Sequence, residues 1–472
     1  MHNHPSDQDP YNMKALLHDY QKLQQGAKPV FLEEEAFERI IDYFDDLEEF
    51  GKALEAAETS ITYFPYSSSL LLRKADVLIS TQKYSQAMQV LAQVEMLDAN
   101  DINLYILKTD ALLAMDRQEE AVRLLEEAVQ HFDGADRLEL LFELADVYDD
   151  YEEFDKVFDC LKLILTEDPV NEEALYKICF WTDFTGRNEE SIRLHLHIIE
   201  EHPYCELAWF NLGAAYQGIK LYEKAIDAYQ YVLAIDEKFD YAYRNMGDAY
   251  IRLRRFKEAI EALEKVLELS KPEEVIYEAI GHCYDRLKNF GQARFHYRKA
   301  SHLSPEDGKL QYKIACTYFN EGNHKSAVKV GEGALRFNKN ATEVNLLLGE
   351  SKMELGHFKE AVAHFSTVVR TKPRNKGGWQ ALIRCLLRMG CFQEAKQQAV
   401  VAWEYSGHKP IFIYYLSAAL LGMGKTKEAL LQLEKAVIQA PRLLSQFIAL
   451  NPAVMQNRAV VDVIARCKRQ KG

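Results

Sequence analysis

Four aspartates recur at a near-constant interval in the first third of the chain: Asp42, Asp76, Asp110 and Asp146. Glu38, Asp45, Asp46, Glu139, Glu143, Asp149 and Asp150 cluster around them. Carboxylates held in a row against low-dielectric protein focus negative field and would attract a basic polypeptide segment. The competing explanation is a solvated acidic face that keeps the chain soluble. A second group lies further along, where Tyr176, Phe180, Phe184, Phe210 and Tyr241 accompany Asn211, Arg244 and Asn245. Large rings anchor interfaces. A carboxamide donates to a carbonyl and accepts from an N–H, so it can hold an extended backbone whatever its side chains. Here the alternative is that several of the rings pack against neighbouring elements.

Other reactive side chains point to no catalysis. His195 and His197 are the nearest approach to a metal pair, but at this spacing two rings diverge on a helix. His195 is expected in the core, with its neighbour outward. His2 and His4 sit in a polar start that reads as disordered. The eight cysteines form no C-x-x-C pair and read as reduced, small apolar residues of a cytoplasmic protein, without a zinc site. No G-x-G-x-x-G, phosphate loop, G-x-S-x-G or H-E-x-x-H occurs. The expectation is a non-enzymatic protein without metal or cofactor.

The bulk properties suit helices. Of 472 residues, 48% are hydrophobic, with 12 Pro and 22 Gly. No apolar run reaches the ~18 residues of a membrane span. Met1–Pro10 carries no apolar signal core, so a cytoplasmic location is expected. The net charge of −15 is unevenly spread: residues 1–250 carry −30 and residues 251–472 carry +15. Charge of this kind governs association rather than fold.

The elements that must position these groups repeat. Trp209, Leu212, Gly213, Tyr216, Ala225 and Tyr229 return 34 residues later as Tyr243, Met246, Gly247, Tyr250, Ala259 and Leu263. They return again as Tyr277, Ile280, Gly281, Tyr284, Ala293 and Tyr297. With the Trp slot as fourth position, repeats start at 34, 68, 102, 138, 172, 206, 240, 274, 308, 342, 376 and 410. One step is 36, and its two extra residues, near Gly134 and Ala135, are expected in a loop. The eighth position is small in all but two repeats, Ile41 and Ile383 being the departures. The twentieth is Ala in all but two, where Val157 and Ser191 stand. Both slots are where paired helices approach closely. Pro65, Pro169, Pro203, Pro305, Pro373 and Pro441 end second helices, which a proline cannot continue. Tyr11–Gln25, ended by Gly26 with Pro29 following, reads as an N-terminal capping helix. Leu443–Leu450 and a helix from Asn451 and Pro452, with a basic last turn of Arg466, Lys468, Arg469 and Lys471, read as the C-terminal cap. The basic turn suits a helix C-terminus, so no nucleic acid is expected there.

The pattern resembles the tetratricopeptide repeat, W-x2-L-G-x2-Y…A-x3-F…P over 34 residues. The resemblance implies an all-α, right-handed superhelical solenoid of helix-turn-helix repeats over 34–443, with capping segments at 1–33 and 444–472. It also implies that the second, fifth, sixth, ninth and twelfth positions of each repeat line a concave groove. The aspartates then occupy the ninth position of four successive repeats. Asn211 and Asn245 occupy the sixth position of two, like rungs of the asparagine ladder of some long family members. The carboxylate clamp of chaperone-binding members does not fit, since Ala279 stands where Asn is needed and Lys313 where Arg is. Arg384 and Arg388 are expected to make the groove basic toward its end. The function implied is a scaffold binding peptide or protein segments, basic ones in the N-terminal half. Head-to-tail pairing of acidic and basic halves in a homo-oligomer, or a regulatory subunit of an enzyme complex, is the alternative.

Overall fold

The computed structural model describes residues 10–25 and 31–469. His2, His4, Gly26, Pro29 and Lys471 lie outside the described residues. Among those described, every regular element is helical. The chain divides into two compact units, Met1–Asp236 and Glu237–Gly472.

In the first unit, helices starting at Glu34, Ser68, Ile102, Gly134, Glu172 and Glu206 each pair with a second helix starting at Phe50, Tyr84, Gln118, Phe154, Asn188 or Tyr222. In the second unit, first helices start at Asp240, Glu274, Gly308, Thr342, Lys376 and Ile411. The packing reason for the small eighth residue is direct. A Cβ at Gly213 would stand 2.5 Å from the Tyr229 ring, and one at Gly281 2.7 Å from the Tyr297 ring. In each case the opposing ring is sixteen residues later, on the second helix of the same pair. Ala225 and Ala293 are fully buried at the twentieth slot. The fourth-position ring seals one repeat to the loop before it: Trp209 Nε1 donates to the Pro203 carbonyl at 2.9 Å, and Trp379 Nε1 to that of Pro373 at 2.7 Å.

The turn within each pair follows a backbone rule of its own. Its fifteenth residue has positive φ in all twelve pairs, from 57° at Glu48 to 83° at Gly322. Seven of the twelve are not glycine, although that backbone region favours it.

The extra residues near Gly134 and Ala135 are not in a loop. The helix Gly134–Asp150 has 17 residues, starting four before the expected position 138. A helical turn satisfies its own backbone groups, so the insertion becomes helix rather than a longer connection. At the N-terminus, Pro10–Gln24 lays buried Tyr20 edge-on against Phe37, 6.3 Å between centroids. The single helix expected after Asn451 is broken in two. Asn451 caps a 3-10 turn, Pro452–Gln456, and Asn457 starts the helix Arg458–Arg469 by accepting from the Ala459 N–H. Val460, Val463, Ile464 and Cys467 then bury against Tyr414, Leu433 and Val437 of the last pair.

Candidate protein-binding face

In the first unit the aspartate row is a physical row. Asp42 accepts from Arg73 Nε at 3.0 Å, and Asp146 is paired with Lys177 at 3.4 Å. Each base stands 31 residues after its aspartate, at the sixth position of the following repeat. The same slot opposite Asp76 is Leu107, and opposite Asp110, allowing for the insertion, it is Glu143. The two middle carboxylates therefore face an apolar and an acidic residue where their neighbours face a base. No hydrogen bond or ion pair joins Asp76 or Asp110 to the described residues.

The electrostatics follow from that placement. Desolvation pushes the Asp76 carboxyl above its ordinary range, Arg73 opposes this, and Asp110 adds to it. Desolvation also raises Asp110. Glu143 is raised by desolvation and then by Asp110, Asp146 and Glu139, with Lys177 opposing. Asp45 is raised by desolvation, Asp76 and Asp46, and its Oδ1 is buried without a hydrogen-bond partner. Asp42 is raised by desolvation despite Arg73. Asp45, Asp76 and Glu143 thus each feel another carboxylate of the row, and Asp110 is raised with no base opposing it. Arg73 and Lys177, which close its ends, were missed in the sequence. A base 31 residues after an aspartate is the signal that marks them.

The aromatic group divides. Tyr176, Phe180 and Phe184 stand at four-residue steps on Glu172–Thr185 and are 64%, 61% and 56% exposed. They form an open stripe, with Phe180 and Phe184 stacked at 5.9 Å and Trp181 and Phe154 packed beneath. Phe210 is half-buried, its ring 5.8 Å from that of Tyr229. Tyr241, Arg244 and Asn245 belong to the second unit. There Tyr241 is exposed, Asn245 is half-buried, and Arg244 Nη2 donates to Glu273 at 2.6 Å.

Two expectations are corrected. Asn211 is not an open rung: it is 3% exposed, and its Nδ2 donates to the Leu175 carbonyl at 2.7 Å and lies 3.2 Å from His195 Nε2. His195 is fully buried, with Nδ1 2.7 Å from the Ser191 carbonyl. The imidazole must carry its proton on Nδ1 and accept on Nε2. The carboxamide is thus consumed in joining two repeats. Nor is the end of the groove a free basic surface. Arg384 is paired with Glu350, and Arg388 with Glu354 at 3.1 Å, each across to the preceding repeat. Lys313 is likewise paired with Glu278.

Glu274, Glu278 and Asp307 bring three carboxylates together. Glu274 accepts from Ser304 at 2.6 Å, Glu278 is paired with Lys313, and Asp307 caps the Lys309 N–H at 2.7 Å. Each has a structural occupation. Among the described residues no helix is long and apolar enough to cross a membrane.

Stacked helix pairs that turn one face of side chains outward define a helical-repeat scaffold for protein–protein interaction. Two stretches of the chain match tetratricopeptide-repeat families. Residues 46–111 match the family described as tetratricopeptide repeat, and residues 210–348 match that of the tetratricopeptide repeat protein 21 C-terminal ARM domain. Similar solved structures include the C-terminal part of a TPR protein from Cytophaga hutchinsonii, 16% identical, covering 54% of this chain and 99% of that one, with a TM-score of 0.45. YrrB, described as a TPR protein with an unusual peptide-binding site, is 18% identical, with coverage of 40% and 96% and a TM-score of 0.36. The Cut9–Hcn1 hetero-tetramer structure matches at 14% identity, with coverage of 87% and 99% and a TM-score of 0.35. No curated protein matches the chain.

Proposed function

We propose that the first unit binds a basic segment of a protein partner along Asp42, Asp76, Asp110, Glu143 and Asp146, without catalysing a reaction on it. The observation that carries this reading is the missing base. Arg73 pairs with Asp42, and Lys177 with Asp146 as well as Glu173, whereas Leu107 and Glu143 leave Asp76 and Asp110 without an ion-pair partner. Raised carboxyls mark the electrostatic cost of that arrangement, and a partner's Lys or Arg would relieve it. The exposed rings of Tyr176, Phe180 and Phe184 would give the same segment apolar anchors beyond the last aspartate.

The test is an affinity capture from the native host, followed by titration of the captured partner. Affinity should fall steeply as ionic strength rises. Asp76→Lys/Asp110→Lys should abolish capture. Leu107→Arg, which restores the base at the sixth slot, should weaken it without removing a carboxylate. Affinity indifferent to salt, or unchanged in Asp76→Lys/Asp110→Lys, would discard the acidic row as the site.

A second reading, head-to-tail association of copies, rests on the −30 and +15 charges of residues 1–250 and 251–472. Light scattering that grows with concentration and disappears in high salt would favour it over a monomeric scaffold.

A further inference from the structure

The C-terminal cap creates a recess that the repeats alone would not have. Leu450, Asn451 and Val454, from the segment after the last pair, close over the first helices Lys376–Arg388 and Ile411–Gly422. The recess holds about 290 Å³, and its walls include Leu387, Phe392, Ala418 and Leu421. Phe392 packs on the bare backbone of Gly422, where a Cβ would collide with its ring. Arg384 and Arg388 also line the recess. Arg384 is paired with Glu350, yet its Nε is buried without a hydrogen-bond partner. Arg388 gives Nη1 to Glu354 at 3.1 Å. A guanidinium has five N–H donors in a planar fork, so both retain donors for a further acceptor.

We propose that this recess binds the C-terminal residue of a polypeptide, one with a large apolar side chain. Ligand pockets typically start at roughly 300 Å³, so the space suits one such side chain rather than a drug-sized body. An α-carboxylate sits on the same Cα as its side chain, and can reach Arg384 or Arg388 while the side chain fills the apolar walls. A carboxylate is the acceptor whose geometry matches the guanidinium fork, and it would take up Nη donors that Glu350 and Glu354 leave free. An internal Asp or Glu would carry chain onward in both directions past walls that include Leu450, Asn451 and Val454, whereas a terminal residue needs an exit on one side only. This site lies wholly within Glu237–Gly472 and is independent of the acidic row.

The experiment uses the full chain and fluorescent pentapeptides ending in Leu or Phe, each as free acid and as amide, with a Ser-ending acid as control. The apolar acids should bind, and the amides at least about tenfold more weakly, because a charge-assisted pair is lost. The Ser-ending acid should bind more weakly than either apolar acid. Ala418→Leu fills the recess without touching a charge, and should abolish binding at an unchanged melting midpoint. Arg384→Gln combined with Arg388→Gln should erase the preference for acid over amide. Should that variant unfold for want of a partner for Glu350, the acid–amide comparison and Ala418→Leu still decide the matter. Equal binding of acid and amide, no binding at millimolar peptide, or binding unaffected by Ala418→Leu would each overturn the proposal. N-acetyl-leucine binding as tightly as the pentapeptides would make the recess a site for small acids instead, and overturn the assignment to a polypeptide end.

Discussion

Two kinds of titrating residue pull stability in opposite directions as pH changes. Asp76 and Asp110 have folded-state carboxyls held above their ordinary range, by desolvation first. Their ionisation opposes folding, so the stability they contribute is present at low pH and lost as pH rises through the folded value. Asp76→Asn/Asp110→Asn should therefore stabilise at neutral pH, by roughly a few tenths of a kcal/mol for such solvent-accessible groups. The gain should shrink to nothing as pH falls to about 4, where the carboxyls protonate anyway. Melting curves across that range check it, and an unchanged or lowered neutral midpoint would mean that the row carries no electrostatic strain. His195 behaves oppositely. Burial pushes it down to about 4, against an ordinary 6.5. Its contribution is present above the ordinary value and is lost as pH falls through that window, to a limit of about 3 kcal/mol. In His195→Phe the acid limb of the stability curve should flatten between those two values.

The helix pair is the element whose geometry decides most. Gly281 lets the Tyr297 ring lie where a Cβ would stand 2.7 Å away. Gly281→Leu should force the two helices apart and cost roughly 1–3 kcal/mol, as overpacking of a close-packed contact does. An unchanged midpoint would refute the pairing. This slot was legible because Gly, Ala, Ser, Thr or Cys recurs there at a fixed interval. The left-handed turn residue was less legible. Five repeats place glycine at that slot, but Glu48, Gln82, Asp116, Glu152, Lys220, Arg254 and Lys288 hide the rule in the others. The inserted residues at 134–135 misled for a different reason. Loops usually absorb insertions, but here one more helical turn absorbed them.

At the scale of the molecule, stability in such an array is the sum of each repeat and its interfaces with its neighbours, so the ends matter disproportionately. The helix Arg458–Arg469 buries Val460, Val463, Ile464 and Cys467 on the last pair. Deleting residues 444–472 should expose Tyr414, Leu433 and Val437, lower the unfolding midpoint, and raise binding of a hydrophobic dye. A deletion variant that melts like the full chain and binds no dye would show that this segment does not cap the array. The same deletion removes one wall of the recess around Arg384 and Arg388, so it also bears on peptide binding there.

The sequence by itself determined the repeat, its phase and its helical class. Nested helix pairs demand small residues at a constant separation, and periodic demands are written in one dimension. It also located the aspartates, which return at one slot in four repeats, and the stripe of Tyr176, Phe180 and Phe184, whose four-residue steps put them on one helix face. What only the tertiary structure decided was which outward groups are already occupied. Asn211 turned inward to Leu175 and His195, Arg384 and Arg388 met glutamates of the preceding repeat, and Asp76 and Asp110 were left without an ion-pair partner. Those outcomes depend on how far one repeat's side chains reach across to the next. That distance is set by the packing of both repeats, not by either segment alone.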